Sequence, residues 1–166
     1  MLYLITGPAG VGKSTISKEI ANISNKSVLL EGDDFYHQVI SSYKPAWKEG
    51  NHLDVFWKVI ESTIKIYLDN GYDVIFNYII GEEDYLRLKE VFKDYDIKFV
   101  ILLVDEKTIL ERDSLRPVDC QMKDRCIVLL NSFLNKNYPD NNKLYTQDLT
   151  IEETLKEIIN NNKYMI

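Results

Sequence analysis

Several absences narrow what this sequence can be. Its 166 residues include only two cysteines, Cys120 and Cys126. Two thiols make no disulfide framework and suit a reducing cytoplasm. No further Cys or His stands close to them in sequence, so a structural role is expected ahead of a metal site. No apolar run approaches the roughly 20 residues that span a bilayer, so no membrane association is expected. The first apolar run, Leu2–Tyr3–Leu4–Ile5, is too short for a secretory signal. Positive charge is not in excess: the formal net charge is −6. That argues against a general nucleic-acid-binding face, though not against a few cations gathered around one phosphate. Internal repeats, low-complexity linkers and a second domain are all missing. A single domain over residues 1–166 is expected, long enough for a real core. Its 45% hydrophobic and 28% charged content is that of an ordinary soluble globule.

Against that background one segment stands out. Gly7 to Ser14 reads G-P-A-G-V-G-K-S, a complete G-x-x-x-x-G-K-[ST] phosphate loop. A strand-like run precedes it and a helical pattern follows, as the motif requires. The glycines let the backbone turn tightly and aim N–H groups at a phosphate chain. The helix that opens near Lys13 adds free N–H groups and the positive end of its dipole. Gly7, Pro8, Ala9, Gly10, Val11, Gly12, Lys13, Ser14 and Thr15 are therefore the expected nucleotide-binding residues. Lys13 supplies a mobile cation for the β- and γ-phosphates, and Ser14 a hydroxyl for Mg²⁺.

Strand-like and helix-like patterns alternate along the rest of the chain. Strands are expected at Leu2–Thr6, Ser27–Glu31, Asp73–Tyr78, Ile97–Val104 and Lys143–Thr146. Helices are expected at Ser14–Ile23, Asp54–Asn70, Glu82–Tyr95, Lys107–Asp113, Asp124–Leu134 and Thr150–Ile159. Ile16, Ile20 and Ile23 stand at helical spacing on the first helix, and Ile151, Leu155 and Ile158 should face inward on the last. Thr150 and Glu153 form a capping box. Alternation of this kind means a parallel sheet covered on both faces.

Ligands in such sheets bind at the carboxyl ends of the strands. The second strand ends in Glu31–Gly32–Asp33–Asp34, which should sit beside the phosphate loop. One carboxylate there can take a proton from a substrate hydroxyl, and another can hold Mg²⁺. The third strand ends in Phe76–Asn77–Tyr78, where Asn77 can hydrogen-bond substrate or a metal-bound water but cannot act as a base. Arg112 and Arg116, at i and i+4 after the fourth strand, share a helical face if the helix runs that far. Mobile arginines suit the charge that spreads over a transferred phosphoryl group, and Arg125 follows shortly after. Residues 35–57 gather Tyr36, His37, Tyr43, Lys44, Trp47, Lys48, Asn51, His52 and Asp54. These either suit a flat or sugar-like molecule or bury a small satellite core.

The phosphate loop followed by E-G-D-D-F-Y-H resembles the phosphate-loop small-molecule kinases. Gluconate kinases carry a similar G-D-D-L-H stretch at this point, shikimate kinases a D-x-D, and chloramphenicol phosphotransferases a single Asp. The resemblance implies a three-layer fold, with a five-stranded parallel sheet, helices on both faces and a short lid at about 112–125. A substrate-cap segment would span about 34–57. By the same likeness Asp33 engages the acceptor hydroxyl, with Asp34 the alternative base, and Glu31 is the metal-side acid. His37 matches the family histidine after a one-residue insertion. Arg116 contacts the phosphates, Arg112 lies against the adenine, and Tyr145–Thr146–Gln147–Asp148 borders it. The chain departs from shikimate kinases in lacking a Gly-Gly pair at Asn77, and from gluconate kinases in lacking their Lys-Arg segment after the third strand. The implied activity is ATP- and Mg²⁺-dependent phosphorylation of a hydroxyl on a small molecule, by a monomer or homodimer. A nucleoside or nucleotide kinase, or a regulatory module that binds ATP without fast chemistry, is the alternative.

Overall fold

The computed structural model describes residues 1–46, 48, 50 and 52–166, and only the backbone of Cys120. Trp47 and Asn51, singled out above, lie outside the described residues. The chain runs β1 (Leu2–Thr6), α1 (Lys13–Ile23), β2 (Ser27–Glu31), α2 (Gly32–Tyr36), α3 (His52–Asp69), β3 (Asp73–Asn77), α4 (Glu82–Val91), β4 (Ile97–Leu103), α5 (Glu106–Ser114), α6 (Asp124–Leu134), β5 (Lys143–Tyr145) and α7 (Ile151–Asn160).

The five strands form one parallel sheet in the order β2-β3-β1-β4-β5, with helices on both faces. Every residue of β1 and β4 is buried, which is why both read as unbroken apolar runs with little alternation. Lys98 is the exception in sequence but not in burial. It is 3% exposed, and its ammonium donates to the carbonyls of Ile158 and Ile159 at the end of α7. A cation there satisfies helix-end carbonyls and complements the dipole. Burial holds its pKa below the usual lysine range.

Element types agree with the sequence pattern, and three details differ. The helix expected through Tyr95 ends at Val91, after which Phe92 caps it and Tyr95 closes a turn onto the Phe92 carbonyl. Ile23 is 57% exposed and Ile151 48% exposed, so neither faces inward. Each occupies a helix terminus; Ile151 borders a cavity, and Ile23 lies in a shallow groove beside α7. The short α2 was not expected; it forms where the acidic run leaves β2. Thr150 and Glu153 make the anticipated capping box of α7. Among the described residues no helix is long and apolar enough to cross a membrane.

Candidate active site

The strand order determines what meets at the carboxyl edge of the sheet. β1, at the centre, delivers the phosphate loop. β2 and β3 on one side deliver Glu31, Asp33, Asn77 and Tyr78. β4 and β5 on the other lead to Arg112 and Thr146. All of these line one cavity of about 930 Å³. The edge with the carboxylates and the edge with Arg112 are thus the two ends of a single site, with the loop between them.

The loop conformation depends on its glycines. Gly7 has φ +143°, and a Cβ there would overlap the Leu102 carbonyl of β4. Lys13, the first residue of α1, folds back over the loop and donates to the carbonyls of Gly7 and Pro8, each at 3.0 Å. Burial pushes its pKa down to about 8, although Asp33 and Glu31 pull the other way. Arg116 adds to the lowering, so Asp33, Glu31 and Arg116 all lie within electrostatic reach of Lys13.

Ser14, Glu31 and Asn77 form a tight cluster. Asn77, only 4% exposed, donates through Nδ2 to Glu31 Oε2 at 2.5 Å and to Ser14 Oγ at 3.0 Å. Ser14 Oγ stands 3.5 Å from the same Glu31 oxygen. Burial raises the Glu31 pKa, assisted by Asp34 and Asp33, while the bonds from Ser14 and Asn77 oppose it. Asn77 therefore braces Ser14 and Glu31 where it lines the cavity. A hydroxyl and a carboxylate are hard oxygen donors, and a cation such as Mg²⁺ takes few protein ligands and fills its shell with water and phosphate oxygens. The donor set fits that ion. Among the described residues no group of three or more His, Cys, Asp or Glu could cage a metal outright.

Gly32 explains the spacing of the acidic run. A Cβ there would overlap the ring of Tyr78, which packs against Phe56 and Trp57 with ring centroids at 4.8 and 5.9 Å. This close approach lets β2 turn directly into α2 and sends Asp33 into the cavity. Asp34 and His37 are exposed and do not line it. His37 instead lies beside Tyr36 and Tyr43, with centroids at 6.3 and 6.0 Å. Tyr36 is buried, bonds the Lys44 carbonyl and contacts His52 and Phe56, so these aromatics form a satellite core beneath the cap.

The arginine segment is built around a residue the sequence reading passed over. α5 stops at Ser114, so Arg112 and Arg116 do not share a continuous helical face. Asp113, 2% exposed, organises the turn. Its carboxylate accepts N–H bonds from Lys123 at 2.8 Å and Met122 at 2.9 Å and pairs with Arg116 at 3.3 Å. Burial alone would raise its pKa, but those backbone bonds, the Cys126 thiol and Arg116 outweigh it and hold it below the usual carboxylate range. Lys123, whose N–H this carboxylate accepts, has the positive φ of 49° that a non-glycine residue seldom adopts. An acid three residues before an arginine was the available signal. Arg112 is held at the other end of the site, donating to Val11 O at 2.7 Å and to Thr146 O at 3.3 Å. Arg125 also lines the cavity.

Comparison with known proteins bears on the family and the fold. The family described as AAA domain matches residues 2–124. A search of curated protein sequences gave no significant match. The fold is similar to a sugar kinase from Janibacter sp. HTCC2649, with TM-score 0.68 and 17% identity over 96% of this chain and 90% of that one. It is similar to a gluconokinase from Sinorhizobium meliloti 1021, with TM-score 0.67 and 16% identity over 95% and 89%. The APS kinase of Mycobacterium tuberculosis in complex with AMPPNP and APS gives TM-score 0.67 and 16% identity over 96% and 95%. The resemblance to phosphate-loop small-molecule kinases read from the motifs holds at the level of the fold.

Proposed function

We propose that this chain, which belongs to the AAA-domain family, is an ATP- and Mg²⁺-dependent kinase that phosphorylates a hydroxyl group of a small molecule. Nucleotide-dependent phosphotransfer is the common ground of the kinases whose fold it shares, one of which binds AMPPNP. The observation that carries the finer reading is the convergence of Lys13, Asp33 and Arg116 on one cavity.

In this reading the loop N–H groups and Lys13 hold the phosphate chain, and Arg112 borders the base. Ser14 and Glu31, braced by Asn77, would hold Mg²⁺, which when bound neutralises phosphate charge. Asp33 orients the acceptor hydroxyl and takes its proton as the oxygen attacks the γ-phosphorus. The bond from that phosphorus to the β-bridging oxygen breaks, and ADP leaves. Lys13 and Arg116 meet the charge on the transferred group. Met122 and the segment clasped by Asp113 cover the site and limit access of water, the competing acceptor.

The test is transfer from γ-labelled ATP, with Mg²⁺, into fractionated small metabolites. Asp33→Asn should cut turnover by about 10²-fold or more, the range expected for loss of a general base, while ATP binding is retained. A regulatory module would show tight ATP binding, no labelled acceptor and no response to Asp33→Asn.

A further inference from the structure

The acceptor end of the cavity holds a carboxylate that the reading above leaves without a task. Asp84, in the first turn of α4, lines the cavity together with Asp33, Trp57 and Tyr78. Its Oδ2 accepts the Gly81 backbone N–H at 3.1 Å as part of the α4 cap. Burial raises its pKa against the pull of that bond and of Arg87. A partly desolvated carboxylate of this kind gains from a further hydrogen-bond donor. Tyr78 lies within electrostatic reach of both Asp33 and Asp84, and its phenol is pushed up by burial and by these two acids, so it stays protonated. Its ring meets that of Trp57 edge to face, with an interplanar angle of 81°, and the two give the same region an apolar corner.

Building on the kinase reading, we propose that Asp84 recognises a second donor group, a hydroxyl or an ammonium, on an acceptor whose reacting hydroxyl faces Asp33. The acceptor is then a non-anionic compound with an apolar part to fill the corner that Trp57 and Tyr78 make. The charges that line the cavity support this. Lys13 is bonded to the phosphate loop, Arg112 to Val11 and Thr146, and Arg116 to Asp113; Glu31 is braced by Asn77 at the metal side. Among the described residues, of the remaining charges that line the cavity two are carboxylates, Asp33 and Asp84, and one is Arg125; Arg87 and Lys136 lie within electrostatic reach of Asp84 without lining it. An anionic acceptor would add a third negative charge in a space where screening by water is reduced.

The test separates a cell extract, supplemented with hydroxylated natural products, into anionic, neutral and cationic pools. Each pool is incubated with the wild-type protein and γ-labelled ATP. Label should enter a neutral or a cationic acceptor; a neutral one identifies hydroxyl as the second donor, a cationic one ammonium. Asp84→Asn keeps an oxygen for the Gly81 N–H. It should raise KM for that acceptor about 10- to 100-fold, with kcat within about threefold, because a hydrogen bond to a charged group is lost. KM for ATP should not move, and Glu83→Gln, an exposed neighbour, should change neither constant. Label confined to the anionic pool overturns the proposal and leaves the kinase reading intact, and needs no variant. An unchanged acceptor KM in Asp84→Asn overturns it too. No label in any pool, from protein that binds ATP, defeats the kinase reading and this inference with it.

Discussion

Replacing Lys13 with methionine should make the nucleotide-free protein more stable at neutral pH while removing its response to ATP. The ammonium is buried against the Gly7 and Pro8 carbonyls, and burial takes its pKa from 10.5 to about 8. At about 1.4 kcal/mol for each tenfold, that fall costs the charged folded state roughly 3 kcal/mol. Methionine keeps an apolar stem of similar length and carries no charge, but it forfeits two hydrogen bonds worth about 1 kcal/mol each. The net gain is about 1 kcal/mol, or roughly 2–4 °C in Tm for a chain of this size. The pH dependence fixes the sign. Because the folded pKa lies below the unfolded one, the full cost is present below pH 8 and fades as pH rises from about 8 toward 10.5. Lys13→Met should therefore melt above wild type at pH 7 and below it near pH 10, where the lost hydrogen bonds dominate. Saturating MgATP should reverse the order at pH 7, since ligand at about 100 times Kd stabilises only wild type, by about 2.7 kcal/mol. Thermal unfolding at the two pH values, with and without nucleotide, gives all three comparisons. A variant that melts below wild type at pH 7 without nucleotide would show that Lys13 is not buried at a cost, and the argument would fail.

Two further residues give independent tests. Asn77→Leu removes a charge-assisted bond to Glu31, worth about 1.5–3 kcal/mol, and should raise the Mg²⁺ concentration for half-maximal rate by about tenfold or more. An effect on acceptor KM alone would return Asn77 to the acceptor side. Asp113→Asn should lower Tm by about 4–8 °C, for a loss of about 2 kcal/mol, and open residues 115–123 to limited proteolysis. Because the folded pKa of Asp113 is depressed, its contribution holds above the unfolded aspartate range and is lost as pH falls through the folded value. A protease map unchanged from wild type would mean that Asp113 does not clasp this segment.

The fold was legible because its signals are local. The runs in β1 and β4, the helical spacing of Phe56, Ile60 and Ile64, and the Thr150 capping box each show themselves within a few residues. What misled were helix ends. Ile23 and Ile151 keep the periodicity of their helices, yet one meets a shallow groove and the other the open cavity. Periodicity reports a face, and burial depends on what that face meets.

The site divides along the same line. Phosphate loops are contiguous in sequence because one backbone turn supplies most of their donors, so Gly7–Ser14 could be read directly. The acceptor end is assembled from the ends of β2 and β3 and the starts of α3 and α4, and no window of sequence contains it. Asp84 illustrates this. In sequence it is one of three acids opening a helix, a pattern that capping and the helix dipole already explain. Only the pairing of β3 with β2 places that helix start at the cavity shared with Asp33. His37 shows the converse. It lies four residues from Asp33, but the turn of α2 carries it away to Tyr36 and Tyr43. Residues that shape acceptor choice are thus better sought at the ends of β2 and β3 than along the acidic run itself. A motif fixes the phosphates, but the strand order decides which side chains the acceptor meets.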